Sequence, residues 1–160
     1  MVTGKEMVQH FVSQMQSEFE MSLVGELNYF LGLQIKEMDD TIFISQSKYD
    51  KIIVKKFGME KASYKKTHAP THLKLNKDEK GVNTDQSLYR SMIGSLLYLT
   101  ASRPDSTFVI GVYATYQYEH KMSHITQVKR MLKYINGTSD YGMLYSHNAK
   151  SLLIEYYDAD

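Results

Sequence analysis

Three successive helical patterns in the second half of the chain constrain the fold more than any other feature. The first is predicted over residues 87–101 and is apolar over most of its circumference. Pro104 ends it, because the residue before a proline avoids the helical region, and can begin a second helix that runs to about Tyr118. A third helix follows Ser123 as its N-cap and stops at Asn136.

Strand-like patterns flank these helices on both sides. Before them, apolar and aromatic residues at 27–35 and 41–45 surround the polar turn at residues 39–40, which is typical of a β-hairpin. After them, residues 142–145 and 152–157 form a second strand–turn–strand pattern. The predicted class is therefore α+β, with one hairpin flanked by helices, a helical middle and a C-terminal β-hairpin.

Two amphipathic helices accompany the first hairpin. Residues 5–19 have apolar side chains three and four positions apart, which predicts a helix with one face toward a core. Ser47 is the predicted N-cap of a second helix over residues 48–57, which Gly58 ends. Residues 60–84 contain a proline and many polar side chains, so we interpret them as a long connection.

The charge of the chain is distributed unevenly. The formal net charge is +1, but ten lysines and four acidic residues between Lys48 and Lys80 give that window +6 and leave −5 for the rest. Such a basic block is either a surface that contacts phosphates or a solvated, lysine-rich face. The block contains no arginine, so we expect any nucleic acid to be held by its backbone rather than read by its bases.

The composition excludes several classes of protein. Because the chain has no cysteine, it cannot form disulfides, zinc ribbons, iron–sulfur clusters or a cysteine nucleophile. The mean hydropathy is −0.40, and no apolar run approaches the roughly 18 residues that a membrane-spanning helix needs. The N-terminal segment also lacks the pattern of a secretory signal, which favours an intracellular location over secretion.

Two pairs of aspartates are candidates for magnesium binding. Asp39 and Asp40 are adjacent, and polymerases hold two magnesium ions with such a pair, but a further carboxylate from a separate strand is required. The preceding sequence offers none, so the favoured interpretation is an acidic hairpin turn. Asp158 and Asp160 follow the last predicted strand, and alone they are more typical of a solvated chain end than of a metal site.

Two histidine pairs have the i, i+4 spacing of helical zinc ligands, namely His68 with His72 and His120 with His124. Pro70 separates the first pair, and His120 precedes the cap of its helix, so neither pair is expected to share a helical face. The sequence also lacks a GxSxG motif and a glycine-rich phosphate loop. The residues therefore predict no metal site and no self-contained catalytic site.

A series of ordered motifs runs through nearly the whole chain. The most specific are GELNYFLGLQIK at residues 25–36 and YRSMIGSLLYLTASRPD at residues 89–105. The series continues with VKR at 128–130, GT at 137–138 and YDAD at 157–160. This order resembles the Pol polyprotein of copia-type LTR retrotransposons, from the end of the reverse transcriptase to the first strand of ribonuclease H.

The resemblance implies a parent enzyme whose catalytic groups lie mostly elsewhere. That enzyme is an RNA-directed DNA polymerase with ribonuclease H, it uses Mg²⁺, and its polymerase aspartates would precede Met1. Asp158 resembles the first ribonuclease H carboxylate, now vestigial, and the others would follow Asp160. The resemblance therefore implies a truncated, inactive fragment that binds no cofactor itself and has the remainder of the Pol polyprotein as a partner.

The resemblance also divides the chain into four parts and assigns template–primer contacts to two of them. The parts are the end of the palm with a primer-grip-like hairpin (1–46), a thumb-like helix with a basic linker (47–84), a helical connection (85–137) and the first strands of a truncated ribonuclease H domain (138–160). Backbone contacts of this kind are independent of base sequence and weaken with salt. The implied nucleic-acid-binding residues are Leu31, Gly32, Lys48, Lys51, Lys55, Lys56, Lys65 and Lys66.

A second hypothesis belongs to a different class of function. The chain would then be a stand-alone, non-enzymatic interaction protein or effector-like protein derived from a retroelement. Such a protein would act through protein contacts, using the apolar surface that the absent palm and ribonuclease H strands leave uncovered.

Overall fold

The computed structural model describes residues 4–21, 27–69 and 78–146 of the chain. Within these ranges it contains five α-helices and one four-stranded antiparallel sheet, which confirms the predicted α+β class. The helices are α1 (Lys5–Glu18), α2 (Ser47–Lys56), α3 (Gln86–Leu99), α4 (Pro104–Ala114) and α5 (Met122–Gly137). The strands are β1 (Tyr29–Phe30), β2 (Leu33–Met38), β3 (Thr41–Ser45) and β4 (Gly142–Ser146). No helix in these ranges is long and apolar enough to cross a membrane.

The hydrophobic core lies among α2, α3, α4 and α5, and α3 is its centre. Helix α3 packs against the other three helices, as expected for a helix that is apolar over most of its circumference. The hydroxyl of Tyr89 in α3 donates a hydrogen bond of 2.8 Å to the carbonyl of Tyr113 in α4, so this polar atom is satisfied inside the core. The buried apolar side chains of α3 are Tyr89, Met92, Ile93, Leu96 and Leu99.

The hairpin predicted at the start of the chain is present, but its first strand is interrupted. The structure turns at Leu31 and Gly32, which have φ angles of +47° and +79°, so β1 pairs antiparallel with β2. The prediction of one strand over residues 27–35 is therefore wrong, because the apolar and aromatic residues of this run hid a turn whose sequence signal is the glycine at position 32. β2 and β3 form the predicted hairpin, and Met38 pairs with Thr41 across the two-residue turn.

Strand β4 completes the sheet in the order β1-β2-β3-β4. It pairs antiparallel with β3, with Leu144 opposite Phe43. The sequence predicts a separate C-terminal hairpin in which this strand pairs with residues 152–157, and that segment lies outside the described residues. The pairing of β4 with β3 was not foreseen, because strand patterns do not show which distant strand is the neighbour.

A buried amide joins the sheet to the helices. Gln46 lies between β3 and α2, its Oε1 accepts a hydrogen bond of 2.8 Å from the hydroxyl of Ser102, and its Nε2 donates one of 3.4 Å to the carbonyl of Tyr98. Gln46 is also the N-cap of α2, so the prediction of Ser47 in that position is wrong by one residue. Gly58 follows the end of α2 and has a φ angle of +66°, which confirms the prediction that it ends this helix.

Helix α5 begins earlier than predicted. Its N-cap is Lys121, whose backbone N–H donates a hydrogen bond of 2.9 Å to Nδ1 of His124. The prediction of Ser123 as the cap is wrong, because His124 is the N3 residue of a capping box and accepts from the backbone N–H of Lys121, which places the start of the helix two residues earlier. The hydroxyl of Ser123 instead donates to a carboxylate oxygen of Asp78 at 2.6 Å. The second helix, α4, begins at Pro104 as predicted and ends at Ala114.

Helix α1 forms where it was predicted, but its apolar face does not point into a core. Met7 and Phe11 remain 64% and 60% exposed, and Val8 is about half exposed. The spacing of apolar residues shows that a helix has an apolar face and does not show what covers it. In the described part of the chain, the prediction that this face is buried is wrong.

Candidate nucleic-acid interface

The basic helix α2 has one buried face and one exposed face. Ile53 and Val54 are buried on the side that packs against α3 and α5. The opposite side carries Lys48, Lys51 and Lys55, all exposed, and we call these three residues the α2 lysine face. Their spacing of three and four places them on one side of the helix, one turn apart.

The α2 lysine face lies beside the first strands of the sheet. The ammonium of Lys48 is 5.3 Å from the ring centroid of Tyr29 in β1, which is a cation–π distance. The backbone N–H of Lys48 also donates a hydrogen bond of 2.8 Å to the side-chain oxygen of Gln34 in β2. The structure therefore brings together the hairpin and the lysine helix that the sequence assigned to two different parts.

The turn between β1 and β2 contains the two predicted non-lysine contact residues. Leu31 is 70% exposed, and its carbonyl accepts a hydrogen bond from the hydroxyl of Tyr98 in α3. A Cβ at Gly32 would overlap the Tyr98 side chain, and the positive φ at this position also favours glycine. A packing requirement within the protein thus accounts for Gly32, whereas Leu31 is the exposed residue of the turn.

The remaining predicted lysines lie in different surroundings. Lys56 is bound to the protein itself, because its ammonium donates to the hydroxyl of Ser95 at 3.4 Å and lies 5.0 Å from the ring of Phe57. Lys66 is exposed. Lys65 lies at α5 rather than on the α2 lysine face, and its backbone N–H donates to the carbonyl of Lys133 at 3.4 Å.

The segment around Lys65 forms a groove with α5. A Cβ at Gly137 would lie 3.1 Å from Cβ of Tyr64, so a glycine lets the segment approach the end of the helix closely. We call the space beside it the α5 groove, and its lining residues are Lys65, Thr126, Gln127, Arg130 and Lys133. The sequence places Arg130 and Lys133 on the outward side of their helix but does not assign them to a site. The three-residue spacing of Arg130 and Lys133, which places both on one side of α5, is the feature of the sequence that could have indicated this site.

The cationic side chains of both surfaces lack acidic partners. In the described ranges, the ion pairs within 4.0 Å all involve Arg103, which lies elsewhere in the fold. The ammonium groups of the α2 lysine face and the α5 groove are therefore not neutralised by a neighbouring carboxylate there. This is the electrostatic condition for binding an anionic polymer.

A buried arginine holds the framework behind these surfaces. Arg103 is 1% exposed, and its guanidinium makes two hydrogen bonds of 3.0 Å to the carboxylate of Asp105. It also donates to the carbonyl and hydroxyl of Thr138 at 3.1 and 2.8 Å, and lies 3.7 Å from a carboxylate oxygen of Asp50. Because Asp50 belongs to α2, this cluster fixes the helix that carries the lysine face. The RPD motif supported the family resemblance, but its spacing gave no indication of this role.

The two carboxylates beside Arg103 differ in their acidity. Burial raises the pKa of Asp50 to about 7, although the nearby Arg103 opposes the shift. Burial alone would also raise the pKa of Asp105, but hydrogen bonds from Arg103 and Tyr134 outweigh it and lower the pKa. One oxygen of Asp50 is buried without a hydrogen-bond partner, whereas Asp105 is held by several donors. Asp50 is therefore the more easily protonated member of the cluster.

The acidic candidates for a metal site are dispersed. Asp39 and Asp40 form the exposed turn between β2 and β3, and Asp158 and Asp160 lie outside the described residues. Among the residues that the structure describes, no group of three or more His, Asp or Glu side chains is placed to hold a metal ion.

Three of the described histidines, His68, His120 and His124, are packed against aromatic rings. His68 lies 5.6 Å from the ring of Tyr134, and His72 is outside the described residues. His120 stacks on a tyrosine of α3 at 4.5 Å, and His124 caps α5 as described above. His120 precedes α5 whereas His124 lies within it, so this pair does not share a helical face, as predicted.

Comparison with known proteins identifies relatives of the chain. It is 33% identical over 150 residues, 93% of its length, to the uncharacterized mitochondrial protein AtMg00810 of Arabidopsis thaliana. It is 28% identical along its whole length to the retrovirus-related Pol polyprotein from transposon RE2 of the same plant. The secreted RxLR effector protein 161 of Plasmopara viticola is 32% identical over 73 residues, which are 45% of this chain and 51% of the effector. Neither a protein-family model nor a solved structure matches the chain.

These relatives place the chain among proteins related to the polyproteins of mobile genetic elements. More specifically, it is homologous to a segment of copia-type retrotransposon Pol polyproteins, which confirms the resemblance found in its motifs. The chain spans 62% of the mitochondrial protein and 11% of the RE2 polyprotein, so most of that polyprotein has no counterpart in it.

Proposed function

We propose that this chain is a template–primer-binding segment of a retrotransposon reverse transcriptase. The observation that carries the proposal is the α2 lysine face, in which three exposed ammonium groups lie on one side of a helix and pair with no carboxylate of the described residues. The exposed turn at Leu31, with β1 beside Lys48, extends this surface onto the sheet. The hairpin then acts as the primer grip and α2 as part of the thumb.

The chemistry of this surface suits a nucleic-acid backbone. Lysine presents a flexible point charge that attracts phosphate oxygens, whereas base reading relies mainly on planar, bidentate side chains. Binding is therefore independent of base sequence and is driven by the release of counterions from the phosphates. The fixed position of α2, held through Asp50 and Arg103, keeps the charges aligned in the absence of ligand.

In this proposal the chain binds the template–primer and does not extend it. The carboxylates that bind Mg²⁺ for polymerisation and for ribonuclease H cleavage belong to other parts of the polyprotein, with Asp158 as one remaining ribonuclease H group. The chain alone, mixed with Mg²⁺, nucleotides and a primed template, is expected to give no extension product. Primer extension by this chain would contradict the assignment of catalysis to the other parts.

Fluorescence anisotropy with a labelled DNA duplex tests the binding surface. The logarithm of the dissociation constant is expected to rise linearly with the logarithm of the salt concentration, and the double variant Lys51→Gln/Lys55→Gln lowers the slope by about 1.8, or about 0.9 for each lost phosphate contact. Lys80→Gln is the matched control, because Lys80 is an exposed lysine of the same basic block but lies in a turn with two acidic neighbours. Equal effects of the double variant and the control would contradict the proposal.

The exposed apolar face of α1 favours a second candidate, a role in protein contacts. Two of its side chains, Met7 and Phe11, are more than half exposed, and one relative is named as a secreted effector. The partner in this case is the remainder of a Pol polyprotein or a separate protein. The same titration separates the two candidates, since a chain that acts only through protein contacts does not bind the duplex at low salt.

A further inference from the structure

The α5 groove concentrates positive charge in a small space. Its volume is about 190 Å³, and three of its five lining residues are cationic, namely Lys65, Arg130 and Lys133. None of the three takes part in the ion pairs of the described chain. Like charges that face one space without a counter-charge repel each other, so an anion in the groove would stabilise this arrangement.

The fold holds these side chains in place by contacts along the groove. The backbone of Lys65 is tied to the carbonyl of Lys133 at 3.4 Å, and Nη2 of Arg130 donates to the hydroxyl of Thr67 at 2.9 Å. The segment that contains Lys65 and Thr67 is therefore joined to α5 at two successive turns of the helix. The charges converge because of this pairing and not because they are neighbours in the sequence.

Two residues that line the groove also carry a polar side-chain atom without a hydrogen-bond partner among the described residues. Nε of Arg130, a donor, and Oε1 of Gln127, an acceptor, are both buried and make no hydrogen bond within the described part of the chain. Only the arginine donor suits an anion, because the glutamine oxygen accepts hydrogen bonds and would take a donor such as water. A buried donor without a partner is costly, so such atoms commonly indicate a missing ligand or water. The hydrogen bond to Thr67 thus orients the guanidinium of Arg130, and its Nε–H remains able to donate to a ligand.

We infer that the α5 groove binds a phosphate group of a nucleic-acid backbone. Arg130 donates hydrogen bonds to the phosphate oxygens, and Lys65 and Lys133 supply the neutralising charge. The inference rests on the proposed function for the class of ligand. It adds a second contact surface, built partly from two residues of α5 that lie outside the basic block at 48–80.

The test compares substitutions inside and beside the groove in the duplex titration. Lys133→Gln is expected to lower the salt slope by about 0.9, and Arg130→Gln/Lys133→Gln by about 1.8. Lys129→Gln removes the same charge from an exposed neighbour on α5 that does not line the groove, so it serves as the matched control and is expected to retain the wild-type slope. Lys133→Arg keeps the charge and should restore binding, which separates loss of contact from loss of fold.

The outcomes distinguish this inference from the proposed function. If groove variants bind the duplex as wild type does while Lys51→Gln/Lys55→Gln binds weakly, the groove inference is wrong and the proposed function stands. If neither the groove variants nor Lys51→Gln/Lys55→Gln changes binding of the duplex, both the groove inference and the proposed function are wrong. A titration with pyrophosphate alone, monitored through the NMR signal of the Arg130 Nε–H, shows whether the groove also binds a free phosphate compound or only the phosphates of a nucleic acid. A pyrophosphate response without any effect of the groove variants on duplex binding would show a free-phosphate site and overturn the nucleic-acid assignment.

Discussion

Replacement of Arg103 by methionine tests whether the buried cluster holds α2 in place. Methionine fills much of the volume of the arginine side chain, so the main effect is the loss of its charge and hydrogen bonds. Asp105 is 35% exposed and is solvated after the change, but the side chain of Asp50 is 2% exposed and loses Arg103, the one cation that pairs with it among the described residues. Leaving a buried charge without a partner costs about 3–5 kcal/mol, a large part of the roughly 5–15 kcal/mol that stabilises a typical domain.

The cost of Arg103→Met should depend on pH in a defined direction. The pKa of Asp50 is about 7 in the wild type, so the carboxyl is already mostly neutral at pH 6 and loses little when Arg103 is removed. At pH 8 the wild-type carboxyl is mostly ionised, and without the cation its pKa rises further, so ionisation is costly there. We therefore expect a smaller loss of stability at pH 6 than at pH 8. Adding Asp50→Asn to Arg103→Met should recover part of the loss at pH 8, because no buried charge then remains.

Urea unfolding followed by far-UV circular dichroism measures these free energies, and this suits a chain without tryptophan. Arg90→Met is the control, because Arg90 is an exposed arginine on α3 and its replacement should change stability by no more than about 0.5 kcal/mol. A loss below about 1 kcal/mol for Arg103→Met, or the same loss at pH 6 and pH 8, would refute the argument that a stranded Asp50 charge is the cause.

Two further predictions concern the wild-type cluster and the turn. The pKa of Asp50 is about 7 in the folded chain against an ordinary 3.8, so its contribution to stability is full below pH 4 and is lost as the pH rises through 7, by at most about 1.4 kcal/mol per pH unit. Asp50→Asn should flatten the urea stability profile over that range, and an unchanged slope would contradict this. Gly32→Ala should cost about 1–3 kcal/mol, because the new Cβ meets Tyr98 at a positive φ. Gly94→Ala is its control: that glycine lies in a helix with open space around it, so the same unfolding measurement should show no loss.

The sequence predicted the helices well because their signal is local. Among the described helices, apolar spacing located α1, α2, α3 and α5, whereas Pro104 located the start of α4 and Gly58 the end of α2. The turn at Leu31 and Gly32 was missed, since leucine rarely adopts a positive φ and a single glycine in a run of strand-forming residues does not by itself show a reversal of the chain. The family motifs, rather than periodicity, led to the resemblance that the relatives confirm.

The candidate surfaces were predicted only in part, because their geometry depends on distant contacts. The lysine count of the basic block pointed to α2. The structure shows that Lys56 is held by Ser95, whereas the α2 lysine face forms no ion pair with any carboxylate in the described ranges. The α5 groove depends on a segment that crosses the helix far along the chain, which a charge count cannot show. The cluster at Arg103 joins three parts of the sequence in the same way.

The pairing of β3 with β4 has a consequence for how the chain folds. Four helices lie between these two strands in the sequence, so the sheet cannot be completed until the whole helical region has been synthesised and compacted. Closing such a long loop is entropically costly, and non-local strand pairing of this kind slows folding. During synthesis, the edge of β3 that later pairs with β4 therefore remains unpaired. We expect the helices to assemble before β4 is added to that edge.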